Sequence, residues 1–370
     1  MIGRIFFERA RFLGVVCVLA AAHPAARAQD TKPAEIRVGL IGLDTSHATA
    51  FSRAMNDPNH APELAGCRVV AAVAAHSPEV ADSVRYLPAV TKEIQELGIE
   101  IVPSIDVMLQ RVDAVLITSI AGHPHLAQAV PVLRAGKPAF IDKPVAGSLD
   151  DAVLLYEVAA HFGTPVFSSS SLRYTDSAKA IRGGSLGDIT ACDAYSPCPY
   201  ERSHPDFYWY GIHGVEILFT MMGTGCESVS RVHTDTSDVA VGVWRDGRIG
   251  TFRGRRTADN GYAAGYGGTA FGTKAVEPIG PFSGYEPLVA EIVRFFKTKE
   301  VPVRPEETLE IYAFMTAADA SRRTGQPVRI DDLLEAARAS AKDRLANLVA
   351  AKAEALGSDP ARRIAANRRP

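Results

Sequence analysis

Two side chains of this sequence could exchange a proton with a bound small molecule if the fold buries them. Lys143 directly follows a short apolar run, and His213 lies in the aromatic-rich segment 204–216, HPDFYWYGIHGVE. Oxidation of a secondary alcohol releases a hydroxyl proton as a hydride leaves the carbon, and a lysine or histidine with a pKa tuned towards neutrality can take that proton. The alternatives are that Lys143 is an exposed lysine at a strand end and that His213 is a hydrogen-bonded histidine of the core. We take Lys143 and His213 as the candidate catalytic residues, with His213 as proton acceptor or relay.

The elements that must position Lys143 alternate between strands and helices. Short apolar runs predict buried parallel strands at 36–42, 68–75, 99–103, 114–119 and 139–141. Helices are predicted at 48–55, 125–135 and 149–162, with Ser148 as the cap of the last. This order predicts a doubly wound parallel sheet, which binds ligands at the carboxyl ends of its strands. Lys143 falls at that edge.

The second half of the chain changes to antiparallel patterns. Short strand-like runs occur at 188–195, 227–234, 239–244 and 247–253. Arg245-Asp246-Gly247-Arg248 joins the last two and is typical of a hairpin. Helices near 288–296 and 308–322 are expected to cover this sheet. The sequence thus predicts an α/β fold in three parts: a Rossmann-type parallel sheet over 36–165, an α+β domain with a mainly antiparallel sheet over 166–330, and a helical extension with a frayed basic tail over 331–370.

Several motifs resemble the Gfo/Idh/MocA oxidoreductases. That family typically shows a His, an Ala-Gly-Lys and a Glu-Lys-Pro at the spacing of His125, Ala135-Gly136-Lys137 and Asp142-Lys143-Pro144. Arg173-Tyr174 and the GSLGDI of 184–189 resemble the family's entry into its second domain. The resemblance covers roughly residues 36–330. It implies an NAD(P)-binding Rossmann domain, hydride transfer on a sugar, polyol or related hydroxylated small molecule, and a substrate domain that often forms the interface of a homo-oligomer.

The resemblance also bears on the segment around His213. The family usually has Asp-x-Gly-x-His near the reacting carbon; Gly211 and His213 match, but Trp209 stands in the place of the aspartate. Whether Glu216 substitutes for that acid stays open. The neighbouring aromatic residues Tyr208, Trp209 and Tyr210 could bind a sugar ring or simply pack in the core. The glycine- and aromatic-rich stretch 261–272 could form a loop over the pocket or a hairpin.

The cofactor site that the resemblance implies departs from the usual pattern. A G-x-G-x-x-G turn lets the backbone approach the pyrophosphate at a helix amino terminus, but residues 42–47 keep only the first glycine. Asp44 puts a carboxylate near the phosphate unless its side chain turns away, and it could equally cap a helix. No acidic residue follows the second strand, so both NAD and NADP are candidates. The predicted cofactor-binding residues are Gly42, Asp44, Thr45, Ser46, His47, Ser119, His125, Asp142 and Lys143.

The amino terminus has the pattern of a Sec-type signal peptide over residues 1–28. Three arginines precede the apolar run 12–22, which is too short to span a bilayer, and Ala26-Arg27-Ala28 offers the small residues of a cleavage site. Cleavage would leave an exported protein, periplasmic or extracellular, without stable membrane insertion. An uncleaved anchor is the alternative.

Charge and cysteine content exclude other classes of function. A net charge of −2 gives no basic field for nucleic acid. The five cysteines form no C-x-x-C pair, and the spacing of His123 and His125 is not a persuasive metal signature, so no metal site is predicted. Cys192 and Cys198 could pair in an oxidising compartment, although buried free thiols are the simpler state.

Three functions follow from these observations. The first is an NAD(P)-dependent dehydrogenase or reductase of carbohydrate-like substrates. The second is an enzyme that retains NAD and oxidises transiently, which permits glycoside cleavage or epimerisation; export favours it, because free nicotinamide cofactor is scarce outside the cytoplasm. The third is a non-catalytic Rossmann-fold binding protein that has lost the cofactor, which the degraded glycine motif and Trp209 favour.

Overall fold

The fold is described from a computed structural model that covers residues 35–357. The predicted signal peptide and the basic tail beyond residue 358 lie outside the described residues. No helix in the described part of the chain is long and apolar enough to cross a membrane.

The first sheet is parallel and has six strands in the order β3-β2-β1-β4-β5-β6. Its strands are β1 Ile36–Ile41, β2 Cys67–Val73, β3 Glu100–Ile101, β4 Ala114–Ile117, β5 Ala139–Ile141 and β6 Val166–Phe167. Val38, Leu40 and Leu116 are fully buried, because helices cover both faces of the sheet. The strand order reverses between β1 and β4, and this point is where doubly wound sheets bind their ligands.

The helices of this half follow the predicted order with two additions. They are α1 Ser46–Asn56, α2 Ala81–Glu96, α3 Ile105–Leu109, α4 His125–Arg134 and α5 Leu149–Phe162. Helix α6 Asp176–Arg182, which the sequence also did not predict, follows β6. Ser148 caps α5 as predicted, since its side chain accepts a hydrogen bond from the N–H of Asp151. The sequence did not reveal α2 and α3. Helix α2 has Pro88 inside it and buries little more than Ser83, Val90 and Ile94.

The second sheet has seven strands in the order β12-β11-β7-β10-β9-β8-β13. They are β7 Ile189–Pro197, β8 Cys226–His233, β9 Ser237–Trp244, β10 Ile249–Arg255, β11 Gly267–Gly272, β12 Val276–Ile279 and β13 Val328–Arg329. The β9–β10 hairpin is confirmed, with Val243 opposite Ile249. The sheet is mainly antiparallel, and β7 and β10 are its parallel neighbours.

The remaining helices are α7 Gly211–Met222, α8 Glu286–Thr298, α9 Pro305–Thr324 and α10 Ile330–Gly357. Helices α7 and α9 pack on the second sheet. The expectation that α8 also covers that sheet was wrong: Leu288, Ile292 and Phe296 share a core with Val38 and Phe51 of the first sheet and α1. Helix α10 packs against α5 and α9, where Arg344 pairs with Asp151 at 2.6 Å.

Candidate functional site

A cavity of about 340 Å³ opens at the carboxyl edge of the first sheet, where the second sheet and its loops face it. Its walls come from eight places in the chain: the start of α1, helix α2, the loop after β4, the end of β5, the turn after β6, the start of α7, the segment before β11 and the segment before α8. The lining residues are Thr45, Ser46, His47, Tyr86, Ile120, Lys143, Ser171, Leu172, Trp209, Tyr210, His213, Tyr262, Tyr266, Phe282 and Tyr285. Both candidate catalytic residues are in this cavity.

Lys143 enters the cavity from the end of β5. Its N–H donates to Asp142 Oδ1 at 2.9 Å, and its Nζ lies 5.8 Å from the centre of the Tyr210 ring. Burial lowers the pKa of Lys143 from its ordinary value, and the neighbouring Asp142 carboxylate opposes this only in part. A larger share of Lys143 is therefore neutral, and able to accept a proton, than for a solvated lysine.

His213 faces the cavity from the first turn of α7. Its Nδ1 lies 2.8 Å from Ser170 Oγ, which leaves Nε2 as the nitrogen available to a ligand. Burial lowers the pKa of His213 well below its ordinary value, and the positive charge of Lys143 adds to this effect. The imidazole is therefore neutral at physiological pH.

Glu216 does not take the place of the missing aspartate. Its Oε1 accepts hydrogen bonds from Ser169 Oγ at 2.7 Å and from Arg173 Nε at 3.0 Å. Glu216 thus neutralises a buried arginine, which also pairs with Glu307 at 2.6 Å. The hydrogen-bond partner of His213 is Ser170, in a serine run that gave no specific signal in the sequence.

His47 and Asp142 form a pair at the opposite wall. His47 Nδ1 lies 2.6 Å from Asp142 Oδ2, and His47 Nε2 lies 3.1 Å from the Tyr285 hydroxyl. Burial acts to raise the pKa of Asp142, but His47 and Lys143 outweigh it and hold that pKa below its ordinary value. Both residues were predicted as cofactor contacts, and only His47 lines the cavity.

Asp44 is turned away from the cavity. Its Oδ2 accepts a hydrogen bond from Ser83 Oγ at 2.7 Å and its Oδ1 accepts one from the N–H of Ile120 at 3.0 Å. The side chain is fully buried, and burial raises its pKa. Asp44 therefore joins the loops that follow β1 and β4, across the point where the strand order reverses.

Gly42, Ser119 and His125 also lie behind the cavity wall. Gly42 has a φ of +95°, and a side chain there would overlap the backbone of Ser119. The ring nitrogens of His125 lie 2.9 Å from Ser119 O and 2.8 Å from Pro144 O, and burial lowers the pKa of His125 to about 4. These residues fix the loops that carry Ile120 and Lys143.

The sequence analysis missed the ring of tyrosines around the cavity. Tyr210 lay in a segment that was singled out, and Tyr262 and Tyr266 lie in the stretch considered as a loop over the pocket. Tyr285 gave no signal, because it reaches the site only through the packing of α8 on the first sheet. The four cysteines within the described residues are buried free thiols, Cys192 and Cys198 included.

The residues present fit the nicotinamide end of a dinucleotide. At the start of α1, the N–H of His47 donates to Thr45 Oγ1 at 3.3 Å and the N–H of Ala48 donates to Thr45 O at 3.2 Å, and the positive end of the helix dipole favours a phosphate there. Thr45 and Ser46 bring this terminus to the cavity wall that Lys143 shares. A phosphate there would therefore meet the positive end of the α1 dipole.

A parallel sheet in this strand order, followed by a mainly antiparallel sheet across a shared cavity, defines a two-domain protein built on a Rossmann-type domain. Residues 36–169 match the model of a family described as "Oxidoreductase family, NAD-binding Rossmann fold". The matched region is the first domain, which contains the motifs around His125 and Lys143 that resemble the Gfo/Idh/MocA oxidoreductases.

Solved structures share the whole two-domain fold. A putative myo-inositol dehydrogenase from Sinorhizobium meliloti is 18% identical, with a TM-score of 0.65 over 80% of this chain and 99% of that one. The scyllo-inositol dehydrogenase of Lactobacillus casei, solved with NAD(H) and scyllo-inositol, is 19% identical with a TM-score of 0.62 over 80% and 99%. The myo-inositol 2-dehydrogenase of Lactobacillus plantarum is 17% identical, with a TM-score of 0.63 over 80% of this chain and 99% of that one. No curated protein sequence matches the chain.

Proposed function

We propose that this protein is an NAD(P)-dependent dehydrogenase or reductase that acts on a sugar, a polyol or a related hydroxylated small molecule. The observation that carries the proposal is the meeting of Lys143 and His213 in one cavity, beside the amino terminus of α1. The names of the structural neighbours, inositol dehydrogenases, support the same class of reaction.

The cavity wall suits a ring that is apolar on its faces and polar at its edge. Tyr210, Tyr262, Tyr266 and Tyr285 offer aromatic faces for C–H groups and hydroxyl groups for hydrogen bonds. The volume of about 340 Å³ falls at the small end of the range for small-molecule pockets, roughly 300–1,000 Å³. A single sugar or cyclic polyol ring is the substrate class that this space favours.

When it is bound, the nicotinamide supplies an acceptor or donor for the hydride. In the oxidative direction, Lys143 rather than His213 takes the hydroxyl proton of the substrate, which changes the role expected for His213 from the sequence. The lowered pKa of Lys143 makes its free amine accessible, whereas burial disfavours the imidazolium of His213. His213 stays neutral and holds the same hydroxyl through Nε2, while Ser170 fixes its ring. Thr45, Ser46 and the start of α1 would hold the phosphates.

One observation favours a second candidate, a Rossmann-fold binding protein without the cofactor. The hydrogen bonds of Asp44 to Ser83 and to Ile120 join the two loops between which a dinucleotide would extend. A cofactor would have to pass beside this bridge. Binding of the dinucleotide is therefore the first property to measure.

We also propose export and self-association. The predicted signal peptide supports export to the periplasm or beyond. The strand registers put Tyr195, Val232, Val243 and Ile249 on one face of the second sheet, and all four are exposed. A second copy of the chain would cover the apolar part of this face, which also carries the exposed Asp193 and Arg253, in a homo-oligomer.

The test is a fluorescence titration of the purified protein with NADH and with NADPH, followed by turnover assays with inositol isomers and monosaccharides. We expect saturable binding of at least one dinucleotide and reduction of its oxidised form by a cyclic polyol or sugar. Nicotinamide already bound on purification would favour the enzyme that retains its cofactor. No binding of either dinucleotide would contradict the proposal and favour the binding protein.

A further inference from the structure

Within the described residues, Lys143 forms no ion pair with a carboxylate through its Nζ. The neighbouring Asp142 directs Oδ2 to His47 Nδ1 at 2.6 Å and accepts the backbone N–H of Lys143 at Oδ1, 2.9 Å away. A partly buried ammonium group without such a partner is costly, and Asp142 offsets this cost only in part. A group other than a carboxylate is therefore needed to stabilise the charge when Lys143 holds a proton.

The ring of Tyr210 faces this ammonium group. Lys143 Nζ lies over the ring, 5.8 Å from its centre. This is within the roughly 6 Å at which the negative face of an aromatic ring attracts a cation, and the attraction strengthens as water is excluded. The Tyr210 ring can therefore offset part of the cost of the charge on Lys143.

Neighbouring rings hold Tyr210 in this orientation. The Tyr262 ring packs against it edge to face, with the centroids 5.4 Å apart and the planes at 73°, and the Trp209 ring does so at 5.9 Å and 78°. The His213 ring lies 6.2 Å from the same centroid. One fixed aromatic ring is thus next to both candidate catalytic residues.

We propose that Tyr210 is a positioning residue for the reaction: the face of its ring holds the ammonium group that forms when Lys143 takes the hydroxyl proton of the substrate. The role in turnover rests on the proposed oxidoreductase function. The proton moves from the substrate oxygen to Lys143 Nζ as the hydride leaves the carbon for the nicotinamide, and the alcohol becomes a carbonyl. The positive charge that appears on Nζ then meets the negative face of the Tyr210 ring, which favours the protonated form.

The titratable groups around Lys143 agree with this role. Burial lowers the pKa of His213 well below its ordinary value and that of His204 to about 4, so both rings are neutral at physiological pH. Burial raises the pKa of Tyr285 to about 12, so its hydroxyl stays protonated. The remaining titratable side chains of the cavity wall are His47, Tyr86, Tyr262 and Tyr266. Asp142 and the ring of Tyr210 are thus the groups that favour a cation at Nζ.

The first test measures the pKa of Lys143 without turnover, by NMR titration of protein labelled with carbon-13 at the lysine Cε. The signal is assigned by its absence in Lys143→Arg. Tyr210 is replaced by phenylalanine and by its mono-, di- and trifluorinated forms, because each fluorine weakens the negative face of a ring of nearly the same size.

We expect Tyr210→Phe to leave the pKa of Lys143 nearly unchanged, because the ring face remains. The fluorinated rings should lower that pKa stepwise, by about 0.5 pH unit for the trifluorinated ring, because the cation loses its stabilisation. The same series at Tyr262, whose ring neighbours are Tyr210 and Tyr266, is the control and should leave the pKa unchanged. A pKa of Lys143 that stays constant or rises across the series at position 210 would overturn the inference.

The second test asks whether the contact acts in turnover. In the oxidative direction, the acid limb of the pH profile of kcat/KM reports the base of the free enzyme. This limb should move to lower pH by the same amount in the trifluorinated variant and stay in place in Tyr210→Phe. A limb that stays in place while the pKa of Lys143 falls would overturn the positioning role. A wild-type protein inactive with both dinucleotides would refute the proposed function itself, and the NMR titration would still decide the contact.

Discussion

The crevice at the carboxyl edge of the first sheet has two ends that differ in what their polar groups do. At the Lys143 end, defined by Lys143, His47 and His213, titratable side chains face an open cavity. At the Asp44 end, defined by Asp44, Ser83 and the N–H of Ile120, the polar groups are buried and bonded to one another. The comparison teaches that polar groups of one crevice can be left available to a ligand at one end and used up in hydrogen bonds within the protein at the other.

The largest effect on stability is expected at the buried ion pair of Arg173 and Glu216, which lies beside the Lys143 end. Glu216→Ala removes a carboxylate from Arg173, both side chains being almost fully buried. Breaking such a pair costs about 3 kcal/mol, the low end of the usual range, because Glu307 still pairs with Arg173. Urea unfolding measures this loss. The partly exposed Glu307→Gln should cost less, and equal costs would show that Glu216 is not the main partner.

The Lys143 end should also make the fold sensitive to acid. The pKa of His213 is lowered in the folded protein, so the unfolded chain binds more protons once the pH falls below about 6.5. This contribution to stability is present above that pH and is lost below it, at about 1.4 kcal/mol for each pH unit. His213→Gln should flatten the decline between pH 6.5 and 5 by that amount in urea unfolding. An unchanged slope would contradict a neutral, buried His213.

A substitution that removes the charge of Asp44 and keeps the shape of its side chain tests the Asp44 end. Asp44→Asn retains an oxygen for the N–H of Ile120 and lowers the repulsion of a nearby phosphate. We expect the affinity for NADH to rise about tenfold. The corresponding free energy is of the order of the repulsion between two like charges at intermediate distance in a partly buried site. Fluorescence titration gives the affinity. Weaker binding by Asp44→Asn would show that the carboxylate supports the cofactor.

The smallest effect is expected at the partner of His213. Ser170→Ala removes one neutral hydrogen bond to Nδ1, which is worth about 1 kcal/mol. The expected result is a rise in KM of about fivefold with little change in kcat, because His213 holds the substrate hydroxyl and Lys143 takes its proton. A loss in kcat as large as that expected for Lys143→Ala would contradict this division of roles.

Local signals predicted much of the first domain. The apolar runs of β1, β4 and β5 and the Ser148 cap of α5 were visible because buried strands and helix caps depend on a few consecutive residues. Helix α2 was missed because its buried face is small. The position of α8 was predicted wrongly, since its apolar stripe does not say which sheet it covers.

The site was predictable only where a motif carried it. Lys143 and His213 came from the spacing of family motifs, and the cavity contains both. The pairs His47–Asp142 and Ser170–His213 join residues 95 and 43 positions apart. Such pairs depend on strand order and on how the two sheets face each other, which no short stretch of sequence encodes. The turned-away side chain of Asp44 depends on Ser83 in the same way.

The central claim is that substrate oxidation takes place in this cavity with Lys143 as the proton acceptor. The most direct measurement compares kcat/KM of the wild type, Lys143→Ala and the exposed control Lys92→Ala on the best cyclic polyol or sugar. The account predicts that Lys92→Ala equals the wild type and that Lys143→Ala loses about 100- to 10,000-fold while it still binds the dinucleotide. A Lys143→Ala protein with the wild-type kcat/KM would contradict it.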